Sequence, residues 1–402
     1  MNMLSDMTVS KRKAIPRLIR AATAGAIGLA AAGGLAAFAG PASAADLPGT
    51  AGRAAPTVFV QTDNPAGNQV IAFAQQPDGQ LSQEQVVSAG GLGGIEAATP
   101  AGFGGLASQG SLTYDPEHHL LFAVNAGSDT ISVLSVAGRH VRLDQVLSSR
   151  GEFPNSIAVH GNLVYVANAG GAGSVSGFSI FGQQVVPIPG STRSLGLDDA
   201  NPPNFHDGPG QVIFSPNGSE LLVNTKLATN SIDVFQVGPS GYLSTAPTVT
   251  LDDSNGPFSF AFTPSRQLVV AEVAPSALHT FAFGRHGTLT SLSASLTDGQ
   301  QAQCWVIAVD GFYYVANAGS ADLSEYTVAA DGTPSLVAPV AAKTGTGSID
   351  LTASADGKYI YAEAAAGGGT VFEFRINSDG SLSPIGSVPG LGYSGIEGIA
   401  VG

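Results

Sequence analysis

Hydrolysis of an ester or lactone carbonyl needs a group that activates water and a donor that holds the developing oxyanion. His206-Asp207, with Arg193 in the same polar stretch, supplies both types of group. Adjacent side chains often diverge, so the plain alternative is a polar surface loop. Glu272 and Glu363 stand where sibling repeats carry Asn. They are candidates for acid or base work at a channel mouth, or for ligation of a hard cation such as Ca²⁺. Solvated turn carboxylates are the alternative, and no ligand spacing decides for metal. Asp350 and Glu397 fall on expected innermost strands, where acids can line a water-filled tunnel. Cys304 lies beside Trp305 with no basic partner in sequence, which fits a small buried apolar side chain better than a nucleophile. His118-His119 sits in a turn and is expected to be solvated, and His160, His279 and His286 form no pattern. There is no zinc spacing, phosphate-cradling Gly motif or nucleophile elbow, so no cofactor is expected. Gly90-Gly91-Leu92-Gly93-Gly94 reads as a flexible loop.

These residues hang on a repeat. Leu163–Gly170 (LVYVANAG) returns as Phe312–Gly319 (FYYVANAG) and Leu120–Gly127 (LLFAVNAG). Weaker copies lie at Val58–Asp63, Leu221–Asn224, Leu268–Glu272 and Tyr359–Glu363. The centres Phe59, Phe122, Tyr165, Leu222, Val269, Tyr314 and Tyr361 are spaced by 63, 43, 57, 47, 45 and 47 residues. A period near 45 fits a propeller blade of four short strands. Seven copies predict an all-β, seven-bladed β-propeller over 57–402. The two long steps predict insertions at 88–110 and 187–209, both on the face that also carries the ends of the second strands. Loops of that length in a compact domain are usually functional or disordered.

Turn chemistry supports the division. Ser215-Pro216-Asn217-Gly218, Asp310-Gly311 and Ala355-Asp356-Gly357 follow first strands, and Gly-x-Leu turns at Gly241, Gly287 and Gly380 open the fourth. The opening blade lacks a first strand, while the chain finishes on Ile396-Glu397-Gly398-Ile399-Ala400-Val401-Gly402. The C-terminal strand is therefore expected to close the ring and hide the sheet edges.

Lys11, Arg12, Lys13, Arg17 and Arg20 precede an Ala/Gly/Leu-rich run and then Ala42-Ser43-Ala44. That is the pattern of a cleavable secretory signal over 1–44, followed by a Pro/Gly/Ala linker over 45–56. A secreted or extracytoplasmic protein is expected, with no membrane insertion after cleavage. The chain carries 16 Lys+Arg against 30 Asp+Glu, a formal net charge of −14. An acidic chain argues against nucleic acid and anionic membranes as partners. One Cys excludes an internal disulfide, so stability must come from the core and from ring closure.

The copies Val164-Tyr165-Val166-Ala167-Asn168 and Tyr314-Val315-Ala316-Asn317, with the turns at Ser215 and Ala355, resemble the lactonase-type seven-bladed propellers. That family includes bacterial 6-phosphogluconolactonase and fungal carboxymuconate-lactonising enzyme; the copies also look like the YVTN surface-protein repeats. The resemblance covers the chain after the signal and implies a lactonase-like hydrolase acting on a sugar-acid lactone or related ester. It also implies ionisable groups at three places. Here those places read Pro154-Asn155 for a Pro-His pair, Gly208-Pro209-Gly210-Gln211 for Gly-Pro-Arg-His, and Asn224-Thr225 for Asn-Glu. Two functions follow: an exported lactonase-like enzyme with a small-molecule substrate, or a non-catalytic propeller that binds a protein, cell-wall or carbohydrate-derived partner.

Overall fold

The structure, a computed structural model, describes residues 56–99, 103–252 and 256–402. The expected signal and most of the linker lie outside these residues. Among the described residues no helix is long and apolar enough to cross a membrane.

Seven antiparallel sheets follow one another around a ring. Blade 1 is built from Thr57–Gln61, Gln69–Gln75 and Leu81–Ser88, with Ile399–Val401 as its innermost strand. Blade 2 spans Leu112–Ser148, blade 3 Pro154–Pro187, blade 4 Val212–Leu251, blade 5 Pro257–Thr297, blade 6 Gln303–Lys343 and blade 7 Ser348–Pro389. The closing pairs are Val58 with Val401, Phe59 with Ala400 and Val60 with Ile399. The C-terminal strand thus closes the ring, as the incomplete first blade requires.

The second strand of each blade lies between two sheet neighbours and beneath two packed blade faces. Sequences such as LLFAVN and YIYAEA are accordingly buried at every position. The outermost strands have one free edge, and there exposure alternates, as in Thr248–Leu251. The aromatic centre of the repeat also fastens blades together. Tyr165 Oη donates to Gly241 O at 2.7 Å, Tyr314 Oη to Gly380 O at 2.7 Å, and Tyr361 Oη to Gly79 O at 2.8 Å. Each acceptor is the Gly that opens the outer hairpin of the next blade, so two halves of the repeat signature form one inter-blade bond.

The two insertions meet. Ala97 and Asn204 form a parallel bridge, with Ala97 N–H to Pro203 O at 2.7 Å and Phe205 N–H to Ala97 O at 3.0 Å. Part of the second insertion also adds a short strand, Arg193–Ser194, beside Ser174–Val175 of blade 3.

Candidate functional site

The first insertion runs into the axis of the ring. Its segment from Gly104 to Gly110 is held there by Glu397, which stands just before the closing strand. The carboxylate accepts N–H bonds from Leu106 (2.8 Å), Ala107 (3.2 Å) and Ser108 (2.7 Å). A side chain at Gly104 would collide with this carboxylate, so the close approach needs glycine. Ser108 Oγ donates to Asn155 O at 2.7 Å, and Trp305 Nε1 donates to Ser108 O at 2.7 Å. Gln109 exchanges two bonds with the Val306 backbone, at 3.0 and 3.1 Å. The segment is therefore a plug bonded to blades 1, 3 and 6. Beyond it a cavity of about 350 Å³ opens along the axis, lined by Gln211, Ile307, Asp350 and Ile399 among others. Asp350 lines this space as a tunnel acid should. Glu397 does not; it is spent on the backbone of the plug.

Five carboxyls, Asp63, Glu96, Asp350, Glu363 and Glu397, are buried around the plug. Burial first, then their mutual repulsion, raises Asp63, Asp350 and Glu363 well above the ordinary carboxylate range. Glu397 is pushed up to about 7 by burial, against the lowering effect of its backbone donors. Glu96 is raised by burial although Lys226 opposes it, with Nζ 3.5 Å from Oε1.

Lys226 is the residue that sequence reasoning missed. It opens a four-residue helical turn, Lys226–Thr229, with a φ of +41°. Its ammonium donates to Ala107 O and Phe205 O, both at 3.1 Å, and so ties plug, second insertion and blade 4 together. The signal was present in the repeat. Lys226 occupies the place of Gly127, Gly170 and Gly319 in the Asn-Ala-Gly copies, and a lysine tolerated in a left-handed position has a reason to be there.

Beside Lys226 lies a cavity of about 180 Å³ on the insertion face. Phe103, Phe205, Phe258 and Trp305 are among the residues that wall it, and His206 and Lys226 supply a polar edge. The Phe258 and Trp305 rings meet edge to face at 4.7 Å, and Phe103 and Phe205 at 6.3 Å. Cys304 is part of the lining, its thiol pushed up by burial and so kept protonated. His206 is held below its usual pKa by burial and by the Lys226 charge, which leaves the imidazole neutral at neutral pH.

The other sequence candidates stand elsewhere. Asp207 accepts from Asn204 Nδ2 at 2.9 Å within the same loop. The Arg193 guanidinium donates to the carbonyls of Ser244, Leu243, Gly190 and Thr192, at the seam of blades 3 and 4. Glu363 is buried in blade 7 and accepts Gly398 N–H at 3.0 Å. Glu272 lies at the seam of blades 4 and 5 and meets His279, not His206. One cluster of His206, Arg193, Glu272 and Glu363 is therefore not what the fold assembles. The places where the resemblance implied ionisable groups are filled by structural polar ones. Asn155 Nδ2 donates to Pro209 O at 2.7 Å, Gln211 Oε1 accepts Phe260 N–H at 2.6 Å, and Thr225 bonds within its own turn to Ser231 Oγ at 3.0 Å.

No protein-family model and no curated protein matches the chain. Solved structures do. A candidate 6-phosphogluconolactonase from Bacteroides uniformis aligns with a TM-score of 0.69 at 14% identity, over 87% of this chain and all of that one. The periplasmic gluconolactonase of Pseudomonas aeruginosa aligns with a TM-score of 0.65 at 16% identity, over 86% of this chain and 98% of that one. The fold is that of the lactonase-type seven-bladed propellers. At such identity the likeness concerns architecture, and function has to be argued from the site.

Proposed function

We propose that the protein is an exported propeller that binds a small ring compound with one polar edge in the aromatic cavity of the insertion face. The cavity carries this reading: four aromatic rings wall about 180 Å³, the space of a single ring, and His206 and Lys226 give it one polar side. A polyhydroxylated sugar-acid lactone would bury hydroxyls against those rings without partners, at about 1–3 kcal/mol each. A lactone or ester with an apolar ring suits the lining better. The N-terminal basic flank, apolar run and Ala42-Ser43-Ala44 support export.

Trp305 is the only tryptophan in the sequence and lines the cavity, so its fluorescence reports directly on occupancy. Titration with δ-valerolactone and with a six-ring aryl lactone should give a saturable change that is lost in Phe205→Ala. Equal or tighter binding of glucono-δ-lactone, or no saturable change with any ring compound, overturns the proposal.

A second reading, hydrolysis at this cavity, is favoured by the neutral state of His206, which is the form a general base needs. The same lactones followed by pH-stat test it. Turnover above the spontaneous rate that disappears in His206→Ala makes the protein a hydrolase, and its absence leaves binding as the activity.

A further inference from the structure

Away from the axis, at the seam of blades 4 and 5, Asp252, Glu272 and His279 bring one donor atom each within 4.8 Å of the others, and all three residues are buried. They come from separate elements. Asp252 follows the outer strand of blade 4, Glu272 ends the second strand of blade 5, and His279 lies on its third strand. His279 Nδ1 is 2.9 Å from Glu272 Oε1 and 3.5 Å from Asp252 Oδ1. Donors about 2.0–2.1 Å from a tetrahedral zinc lie about 3.3 Å apart, and these two separations bracket that value.

On its other side the ring is oriented by a hydroxyl. His279 Nε2 is 2.7 Å from Ser291 Oγ, and Ser291 Oγ donates to Ser293 O at 2.7 Å. The single hydroxyl proton is used on that carbonyl, so Ser291 accepts from Nε2–H. This excludes the serine–histidine–carboxylate relay that the same residues suggest, because such a serine must give its proton to the ring. With Nε2–H fixed as a donor, Nδ1 faces the two carboxylates, and a bound cation would take the place of the Nδ1 proton while the remote nitrogen stays a donor, as in metal-bound imidazoles.

The seam is also reachable. The outer strand of blade 5 pairs as Leu289–Ser291 and again as Leu296–Thr297. The residues between bow outward, and Ser293, Ala294 and Ser295 form one wall of a cavity of about 370 Å³ that Asp252 and His279 also line. Bulged strands of this kind recur beside functional sites.

We infer that Asp252, Glu272 and His279 form a binding site for one divalent transition cation, zinc or manganese, with a coordination position open to this cavity. One imidazole nitrogen with two carboxylates suits these ions better than calcium, which prefers six to eight oxygen ligands. The open position takes water or an oxygen of a carboxylate or carbonyl ligand. Nothing in the inference depends on the axial cavity.

Isothermal titration of the chelator-stripped protein with Zn²⁺ at neutral pH tests it, with Ca²⁺ as the control. One equivalent should bind, Ca²⁺ should not compete at equal concentration, and Co²⁺ should give visible bands of low coordination number. Glu272→Gln and His279→Gln should abolish binding. Ser291→Ala changes an exposed residue, so folding is not at stake, and it should weaken binding about 10-fold through the loss of ring orientation. No Zn²⁺ binding by the parent protein overturns the inference. So does binding that Ser291→Ala leaves unchanged, or that survives in folded Glu272→Gln and His279→Gln.

Discussion

The axis and the seam of blades 4 and 5 both hold buried carboxylates against a basic side chain, yet they are built for opposite ends. At the axis the anion is satisfied by backbone: three N–H groups meet Glu397, and two carbonyls hold Lys226. Backbone partners cannot leave without unfolding the plug, so the arrangement closes the ring's hole. At the seam the His279 ring meets Asp252 and Glu272 side chain to side chain, beside a cavity of about 370 Å³. Side-chain donors can exchange one partner for another. A buried charge is thus a structural device when the main chain satisfies it, and a candidate ligand site when movable groups do.

That contrast can be broken most forcefully at Glu397. Glu397→Ala leaves three buried N–H donors without acceptors, and at about 1–3 kcal/mol each the loss should total about 3–9 kcal/mol in urea unfolding. A loss below 1 kcal/mol would mean that the plug is not held as described. Lys226→Met strands the carbonyls of Ala107 and Phe205 and should cost about 2–6 kcal/mol, with the Trp305 emission shifted to the red as the plug loosens. The axial carboxyls also fix a pH response. Their pKa values are higher folded than unfolded, so their contribution is fully present below about 3.8 for the aspartates and about 4.5 for the glutamates and is lost as pH rises; Glu397 loses its share through about 7. The urea midpoint should therefore fall between mildly acidic and mildly alkaline pH, less steeply in Glu397→Gln; a rising midpoint would sink the account. Tyr314→Phe, which removes one inter-blade bond, should cost about 1 kcal/mol. Smallest of all, Ser291→Ala should leave stability within about 0.5 kcal/mol while its Zn²⁺ affinity drops, which separates seam from axis cleanly.

The architecture was legible because each blade repeats the same local instructions. Buried second strands read as unbroken apolar runs, Gly-x-Leu marked the outer hairpins, and the unmatched final strand required ring closure. The candidate site was legible only in part. His206 was found from its polar loop and does edge a cavity. Arg193 was drawn to it by sequence proximity, but the short strand at Arg193–Ser194 carries it to the far edge of blade 3. Glu272 was singled out because it replaced Asn, and the same reasoning applied to Gly would have found Lys226. His279 gave no signal because Asp252 comes from the neighbouring blade and Ser291 from beside a bulge, neither of which has a periodic mark, and nothing in the sequence pairs it with Glu272 of its own blade. Glu397 was read as a solvated tunnel acid because nothing in the sequence says that the first insertion turns inward.

Glu397 has a consequence in time as well as in space. It is made after all the other strands of the seven blades, just ahead of the strand Ile399–Val401 that seals blade 1. The plug has a carboxylate to hold it only when that stretch arrives. Until then the first insertion and its one aromatic residue, Phe103, are waiting on a partner made almost three hundred residues later, at a sequence separation of 289 to 291. Closing the circle and filling its centre are thus a single late event, and a nascent chain stopped short of Ile396 would lack the seam and the stopper together.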